Sequence, residues 1–431
     1  MKDKQPLELN EDFKYALDMI EKSGRNAFIT GRAGTGKSTL LQLFRNTTRK
    51  KTIVLAPTGV AALNVKGQTI HSFFNFPGKP LHRKDIRRVK NHKLYKNIEV
   101  LVIDEISMVR ADLLDSIDYF LRVNRDNIID PFGGVQVVFF GDLFQLPPIV
   151  SSDAEKLLFE SFYDTPYFFS AKVYESEFEM ETIELRKAYR QESRHFLRLL
   201  EAVRLNQIDH DDLDDINVRH EPDFQSEDAY ITLSPRNAVV DQINQEALRK
   251  ILDPELSFLA TITGTFNPKV FPTESVLQLK NGAQVMFVKN DPKKRFVNGT
   301  IGKIINLTPD NIRVLISDKN GNRHIDVEKL EWEIQKYKLD NEDQTKIKSE
   351  VLGTFKQYPL KLAWGITIHK SQGKTFDRLI IDLGRGAFEH GQTYVALSRC
   401  RTLEGIVLKQ KIRPQDIMVD DRIVEYYETN R

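Results

Sequence analysis

The sequence predicts an α/β protein of two parallel-sheet lobes, the second interrupted by a β-rich insert. Three observations predict it. Up to about residue 185, short apolar runs alternate with helical patterns, the mark of strand–helix–strand units on a parallel sheet. Between about residues 262 and 352 the pattern changes to short β-like runs separated by turn signals. On either side of that insert, in 186–261 and 353–431, the alternating pattern returns. At roughly 150 residues per domain, a chain of 431 residues has room for about three such units.

In the first lobe the expected strands are Ala27–Thr30, Thr52–Ala56, Val100–Ile103 and Val135–Phe140. Each runs into a polar or Gly/Pro-containing loop, where open α/β sheets place their ligand-binding residues. The insert contains VLQL, AQVMFVK, TIGKIINL, IRVLISD and RHIDVEKLEWE, with turns expected at Asn281-Gly282, Asn298-Gly299 and Asn320-Gly321. That spacing suits a small antiparallel barrel. Around it, Ala229–Leu233 and Leu379–Leu383 read as strands, and Arg236–Leu252 and Gly391–Leu397 as helices.

Composition narrows the class. Hydrophobic residues make up 40% and charged residues 29%, as in ordinary globular proteins and unlike disordered chains. No apolar run reaches the roughly 18 to 20 residues of a membrane span. The N-terminus (MKDKQPLELN) lacks the apolar core of a secretory signal, so an intracellular protein is expected. One cysteine, Cys400, excludes an intrachain disulfide and CxxC metal sites, and the nine histidines show no HExxH spacing. A net charge of +2 says little about partners, but its distribution is uneven. Arg83–Lys96 carries seven basic residues against Asp85 alone and reads first as a solvated helix face; Asp209–Asp215 (DHDDLDD) reads as an exposed acidic loop.

Gly31–Ser38 (GRAGTGKS) matches G-x-x-x-x-G-K-[ST], directly after an apolar run and before a helical pattern. The glycines let backbone N–H groups turn inward around phosphate oxygens at a helix N-terminus. Gly34, Thr35, Gly36, Lys37, Ser38 and Thr39 therefore form the expected nucleotide cradle. Lys37 is placed to reach the β- and γ-phosphates and Ser38 to ligate Mg²⁺.

Val100–Glu105 (VLVIDE) is an apolar strand ending in two acids, at the sheet edge where the phosphate loop lies. Alone, such acids read as a helix cap. Beside GRAGTGKS, Asp104 fits a Mg²⁺ ligand and Glu105 the base that orients the attacking water. In VVFFGDLFQLPP, Gln145 can hydrogen-bond a γ-phosphate or that water. Arg190 (LRKAYRQ) and Arg399 (TYVALSRC) each read alone as surface charge; within these strings they fit guanidinium fingers on the transferring phosphoryl group.

Taken in order, these strings resemble the motif set of superfamily-one helicases, in the 5′-to-3′ branch that contains the RecD, Dda and PIF-type DNA helicases. Further matches are APTGVAA at Ala56–Ala62, TIHSFF at Thr69–Phe74, GITIHKSQGKTFD at Gly365–Asp377 and YVALSRC at Tyr394–Cys400. Asp115–Gly134 resembles the segment that marks the PIF-type branch. The resemblance implies RecA-like lobes, the first at 1–185 with a pin or wedge insertion near 65–97, the second at 186–261 and 353–431, and an SH3-like insertion at 262–352. It implies ATP and Mg²⁺ as cofactors and an ATP-dependent helicase translocating 5′ to 3′ on single-stranded DNA and unwinding duplex. The implied partners are single-stranded DNA and its junctions with duplex, with no membrane and a monomer in the absence of DNA. The implied roles are in replication, repair or genome maintenance, in the cytoplasm or nucleoid of a bacterium or the nucleus or mitochondria of a eukaryote. One departure stands out: the family often reads adenine with a glutamine upstream of the phosphate loop, and Leu9–Phe13 (LNEDF) lacks one, with Gln5 out of register.

The same motifs imply the DNA contacts. Pro57, Thr58 and Gly59 lie in APTGVAA, the match to motif Ia, while His71, Phe73 and Phe74 offer aromatic faces for bases. Thr367, His369, Lys370 and Ser371 offer donors or charge for phosphates. Phe73 and Phe74 equally fit ordinary core, and Asn298-Gly299-Thr300 fits a turn or a DNA contact. The basic run from Arg83 to Lys96, beside the pin, becomes a contact for duplex or incoming strand. A factor that uses ATP only as a clamp, or a small-molecule phosphotransferase, remains an alternative, which intact Lys37, Asp104 and Glu105 and the second lobe disfavour.

Overall fold

A computed structural model describes residues 10–430 apart from 79, 151–152, 192, 226–228 and 319–320; Gln5, Leu9 and Asn320 lie outside the described residues. The first lobe is built on six parallel strands: β1 (Asn26–Thr30), β2 (Thr52–Ala56), β3 (Gln68–Thr69), β4 (Val100–Ile103), β5 (Gln136–Phe140) and β6 (Met180–Glu184). Their order is β3-β2-β4-β5-β1-β6. All four residues of β4 and all five of β5 are buried, so these β-branched and aromatic runs are covered on both faces. Charge appears only where they emerge, at Asp104 and Asp142.

The second lobe carries a four-stranded parallel sheet. Its first strand is β7 (Ile231–Ser234), and three more follow the insert. The insert's strands are β8 (Glu255–Leu259), β9 (Thr261–Gly264), β10 (Val276–Lys280), β11 (Gln284–Phe287), β12 (Ile301–Leu307), β13 (Ile312–Asp318), β14 (Gly321–Val327), β15 (Leu330–Leu339), β16 (Ile347–Gln357) and β17 (Leu360–Leu362). They form antiparallel sheets of order β10-β8, β14-β13-β12-β11-β17 and β15-β16-β9. Antiparallel structure thus runs from Glu255 to Leu362, beyond the expected 262–352 at both ends, because β8 pairs with β10 and β17 with β11. The chain then returns as β18 (Gly365–Thr367), β19 (Leu379–Ile381) and β20 (Ile406–Leu408), in the order β18-β7-β19-β20.

The β15–β16 hairpin reaches back to the first lobe. Tyr337 donates its backbone N–H to Gln68 Oε1 (3.0 Å), its hydroxyl accepts from Val54 N–H (3.3 Å), and its ring meets Phe73 edge-on at 5.9 Å. Gln344, between the two strands, bonds Lys93 and Asn97.

Two local readings are corrected. Asp209–Asp215 is not a loop. His210–Asn217 is an α-helix whose acids suit it: Asp209 caps Asp212 N–H, Asp211 and Asp212 sit at the positive end of the helix dipole, and Asp212 is buried against Arg198. The Arg83–Lys96 run is not one helix face either. It contains a 3₁₀ turn at Arg83–Asp85 and a short helix at His92–Lys96, with Arg88 and Lys96 paired to Asp126 and Arg83 over the Tyr119 ring.

Candidate functional site

The phosphate loop leaves β1 and enters the helix Lys37–Thr47. Gly34 has φ +85°, and a Cβ there would stand 2.6 Å from Arg190 Cβ, so only glycine lets the segment after β6 lie this close. Tyr189 fastens that contact by donating its N–H to Gly34 O (2.9 Å). Above the loop opens a cleft of about 730 Å³ whose walls include Lys37, Ser38, Glu105, Gln145, Arg190 and Arg399. Gly34, Gly36 and Thr39 also line it, while Thr35 is buried beneath with its hydroxyl on Arg32 O.

The cleft is rich in buried charge. Lys37 Nζ donates to Gly31 O (2.6 Å) and Arg32 O (3.1 Å), and burial holds its pKa below the usual lysine value. Burial, with Glu105 adding repulsion, pushes the Asp104 carboxyl up to about 8. Glu105 is raised too, by burial first, and holds a left-handed backbone at φ +53°. For a non-glycine residue that conformation costs on the order of 1–3 kcal/mol, a strain characteristic of sites where a side chain must be aimed. Burial also lowers Arg190 well below its ordinary value and Arg399 to about 10. Three desolvated cations converging on a cleft fit a polyanion such as a triphosphate. A hydroxyl at Ser38 and a desolvated carboxyl at Asp104 are oxygen donors of the kind a divalent cation takes.

Both arginines rest on the chain around Ser398. Arg190 donates to Ser398 O (3.0 Å); Arg399 donates from Nε to Val395 O (3.0 Å) and from Nη2 to Ser398 Oγ (2.8 Å).

Sequence reasoning missed a buried network beneath the cleft. The Tyr394 hydroxyl accepts from the phosphate-loop Ala33 N–H (2.9 Å) and donates to Asp142 Oδ2 (3.2 Å). Arg204 approaches Asp142 Oδ1 at 3.3 Å, and both side chains are fully buried. Its guanidinium also lies over the Phe144 ring at 4.3 Å. Gln145 Nε2 donates to Asp142 (3.2 Å), and Gln145 Oε1 accepts from Gln372 (3.1 Å). Arg204 had a legible signal: it follows Phe196, Leu200 and Val203 on the buried face of the helix Arg194–Arg204, where a solvated arginine has no place.

The expected DNA contacts divide. Thr58 caps the helix Gly59–Asn64 by accepting from Ala61 N–H, beside half-buried Pro57. Gly59 is covered by the insert: a Cβ there would fall 2.2 Å from Val270 Cγ1. His71 is half-buried, with burial and then Arg110 holding its pKa low. His369 lies 3.1 Å from Glu389, and Lys370 is exposed. The other four residues are enclosed. Phe73 and Phe74 are 6% and 2% exposed, within a cluster that includes Phe76, Tyr95 and Phe120, so neither offers a free face to a base. Thr367 and Ser371 are buried with their hydroxyls committed, the first accepting from Lys370 N–H and the second donating to Ile368 O.

Two parallel-sheet lobes, with one phosphate loop and Arg190 and Arg399 on a common cleft, define a two-lobed P-loop nucleotide-binding protein. A family model described as PIF1-like helicase matches residues 8–214, and one described as the 2B domain of DNA helicase Pif1 matches 265–307. The ATP-dependent DNA helicase Pif1 of Bdellovibrio bacteriovorus is 32% identical, covering 98% of this chain and 92% of that protein. The Xenopus laevis ATP-dependent DNA helicase PIF1, also 32% identical, is longer; the chain spans 62% of it. Among solved structures, Bacteroides Pif1 in complex with ADP–AlF4 superposes with TM-score 0.89 at 37% identity, covering 98% of this chain and 97% of that one. Against Bacteroides Pif1 bound to ssDNA, at 38% identity and the same coverage, the TM-score is 0.69. The chain belongs to the PIF1-like helicase family.

Proposed function

We propose that the chain is an ATP-dependent DNA helicase that moves 5′ to 3′ along single-stranded DNA and separates the duplex ahead. One observation carries the reading: Lys37, Glu105 and Gln145 from the first lobe and Arg190 and Arg399 from the second line a single cleft. A site divided between two bodies is complete only when they approach, so nucleotide binding and hydrolysis become a closing and an opening.

Lys37 and the backbone of Gly34–Thr39 hold the β- and γ-phosphates. Ser38 and Asp104 would hold Mg²⁺, which supplies charge neutralisation on the phosphates. Glu105 orients the attacking water and takes its proton. Gln145 bonds that water or the γ-phosphate, and the two arginines stabilise charge on the equatorial oxygens. The surfaces around Pro57–Gly59, His71, His369 and Lys370 grip the DNA, and each closure shifts one grip relative to the other. The domain division that accompanies this reading is 1–185 with the pin near 65–97, 186–261 with 353–431, and an SH3-like insertion widened to the strands between Glu255 and Leu362.

The test is ATP turnover with and without single-stranded DNA, in the wild type and in Glu105→Gln. The reading requires DNA to accelerate turnover strongly, and Glu105→Gln to bind ATP without splitting it. Tight DNA binding with no acceleration would replace the motor with an ATP-gated clamp.

A further inference from the structure

The short segment between β6 and the helix Arg194–Arg204 touches both halves of the cleft through Tyr189, Arg190 and Gln191. On one side, Tyr189 N–H is bonded to Gly34 O and the Arg190 Cβ packs against Gly34. On the other, Gln191 Nε2 donates to Ser398 O (3.1 Å) and to Cys400 O (2.9 Å). These are the carbonyls of the two residues that flank Arg399. Gln191 is 3% exposed, and its Oε1 faces the phosphate loop, 3.5 Å from where a Gly34 Cβ would stand.

We infer that Gln191 is a positioning residue that sets Arg399 in register with the phosphate loop, through its paired hydrogen bonds to the Ser398 and Cys400 carbonyls. The chemistry follows from the geometry. Arg399 is held largely by its own helix end, through Val395 O and Ser398 Oγ, and neither contact relates it to the opposite lobe. A carboxamide is the one neutral side chain with two donors on a single nitrogen, so it spans two carbonyls without adding charge to a cleft already crowded with cations. Tyr189 and Arg190, its chain neighbours, are docked on Gly34. Loop, Gln191 and Arg399 are therefore linked in one series while the cleft is closed. A finger displaced by about 1 Å loses most of its preference for the transition state, so Gln191 acts on hydrolysis through Arg399 without touching the nucleotide.

This inference rests on the proposed ATP site, and the experiment separates the two. Affinities for ADP and for ADP with aluminium fluoride are measured for wild type, Gln191→Leu, Arg399→Ala and the double variant. Wild type binding the fluoride complex no more tightly than ADP would remove the ATPase reading itself. Gln191→Leu is expected to keep ADP affinity within about threefold while losing at least about tenfold in affinity for the fluoride complex and in kcat. In the Arg399→Ala background the same change is expected to add almost nothing, because its effect passes through that arginine. Equal losses for both ligands, no loss for either, or a full additional loss in the Arg399→Ala background overturns the inference. Should Gln191→Leu lower the melting temperature by more than about 5 °C, Gln191→Ala, which leaves space for water at the two carbonyls, takes its place under the same criteria.

Discussion

Phe74→Ala separates a base-stacking platform from a structural ring, and the structure sets the size of the effect. Four aromatic rings surround Phe74: Phe76 and Tyr95 lie nearly parallel to it at 5.2 and 6.1 Å, while Phe73 and Phe120 meet it edge-on at 4.9 and 5.2 Å. Removing a phenylalanine from such a setting costs about 3–5 kcal/mol, because the lost transfer energy is joined by a cavity its neighbours cannot fill. For a lobe of this size, each kcal/mol lowers the melting temperature by about 2–4 °C, so a fall of roughly 6–20 °C is expected. Single-stranded DNA affinity, read by fluorescence anisotropy well below the transition, is expected to stay within about twofold, since stacking a base is worth about 1–3 kcal/mol and none of it is at stake here. Unchanged melting with DNA binding weakened tenfold or more would refute the packing argument and restore Phe74 as a stacking residue.

Two further outcomes follow from the cleft. Arg399→Ala is expected to lower DNA-stimulated kcat by about 10³-fold or more with ADP affinity nearly unchanged, the pattern of a group that acts on the transition state; a raised KM with intact kcat would make it a binding residue instead. Arg204→Met strands Asp142 inside the protein and is expected to cost about 3–5 kcal/mol in chemical denaturation. A change below about 1 kcal/mol would mean that the buried Arg204–Asp142 pair contributes little to stability.

What the sequence disclosed divides along chain distance. The phosphate loop, the acids after β4 and the strands β1, β2, β4 and β5 are readable because each is a local pattern: an apolar run, then a turn whose residues have one chemical use; β3 and β6 are not. The five aspartates of Asp209–Asp215 suggest solvent, yet Asp209 as a cap and acids in the first turn are what the N-terminus of the helix His210–Asn217 favours. Phe73 and Phe74 were ambiguous because a five-residue helix, Ile70–Phe74, has too little periodicity to declare which face is inside. Antiparallel pairing extends past the ends of the sequence pattern because β8 and β17 are short and gain their strand character from distant partners, β10 and β11. Gln191 and Tyr394 lay inside recognised strings, yet their roles depend on contacts more than two hundred residues away, to Ser398 and Cys400 in one case and to Asp142 and Ala33 in the other. Nothing in a linear pattern measures such contacts.

The most direct test of the whole account is strand separation itself. Partial duplexes bearing a single-stranded tail at either the 5′ or the 3′ end are mixed with protein, ATP and Mg²⁺, and released strand is followed over time. The account predicts release from the 5′-tailed substrate, dependent on hydrolysable ATP, and little from the 3′-tailed one. Release only from the 3′-tailed substrate would reverse the direction, and brisk ATP turnover with neither substrate opened would contradict the coupling on which the account rests.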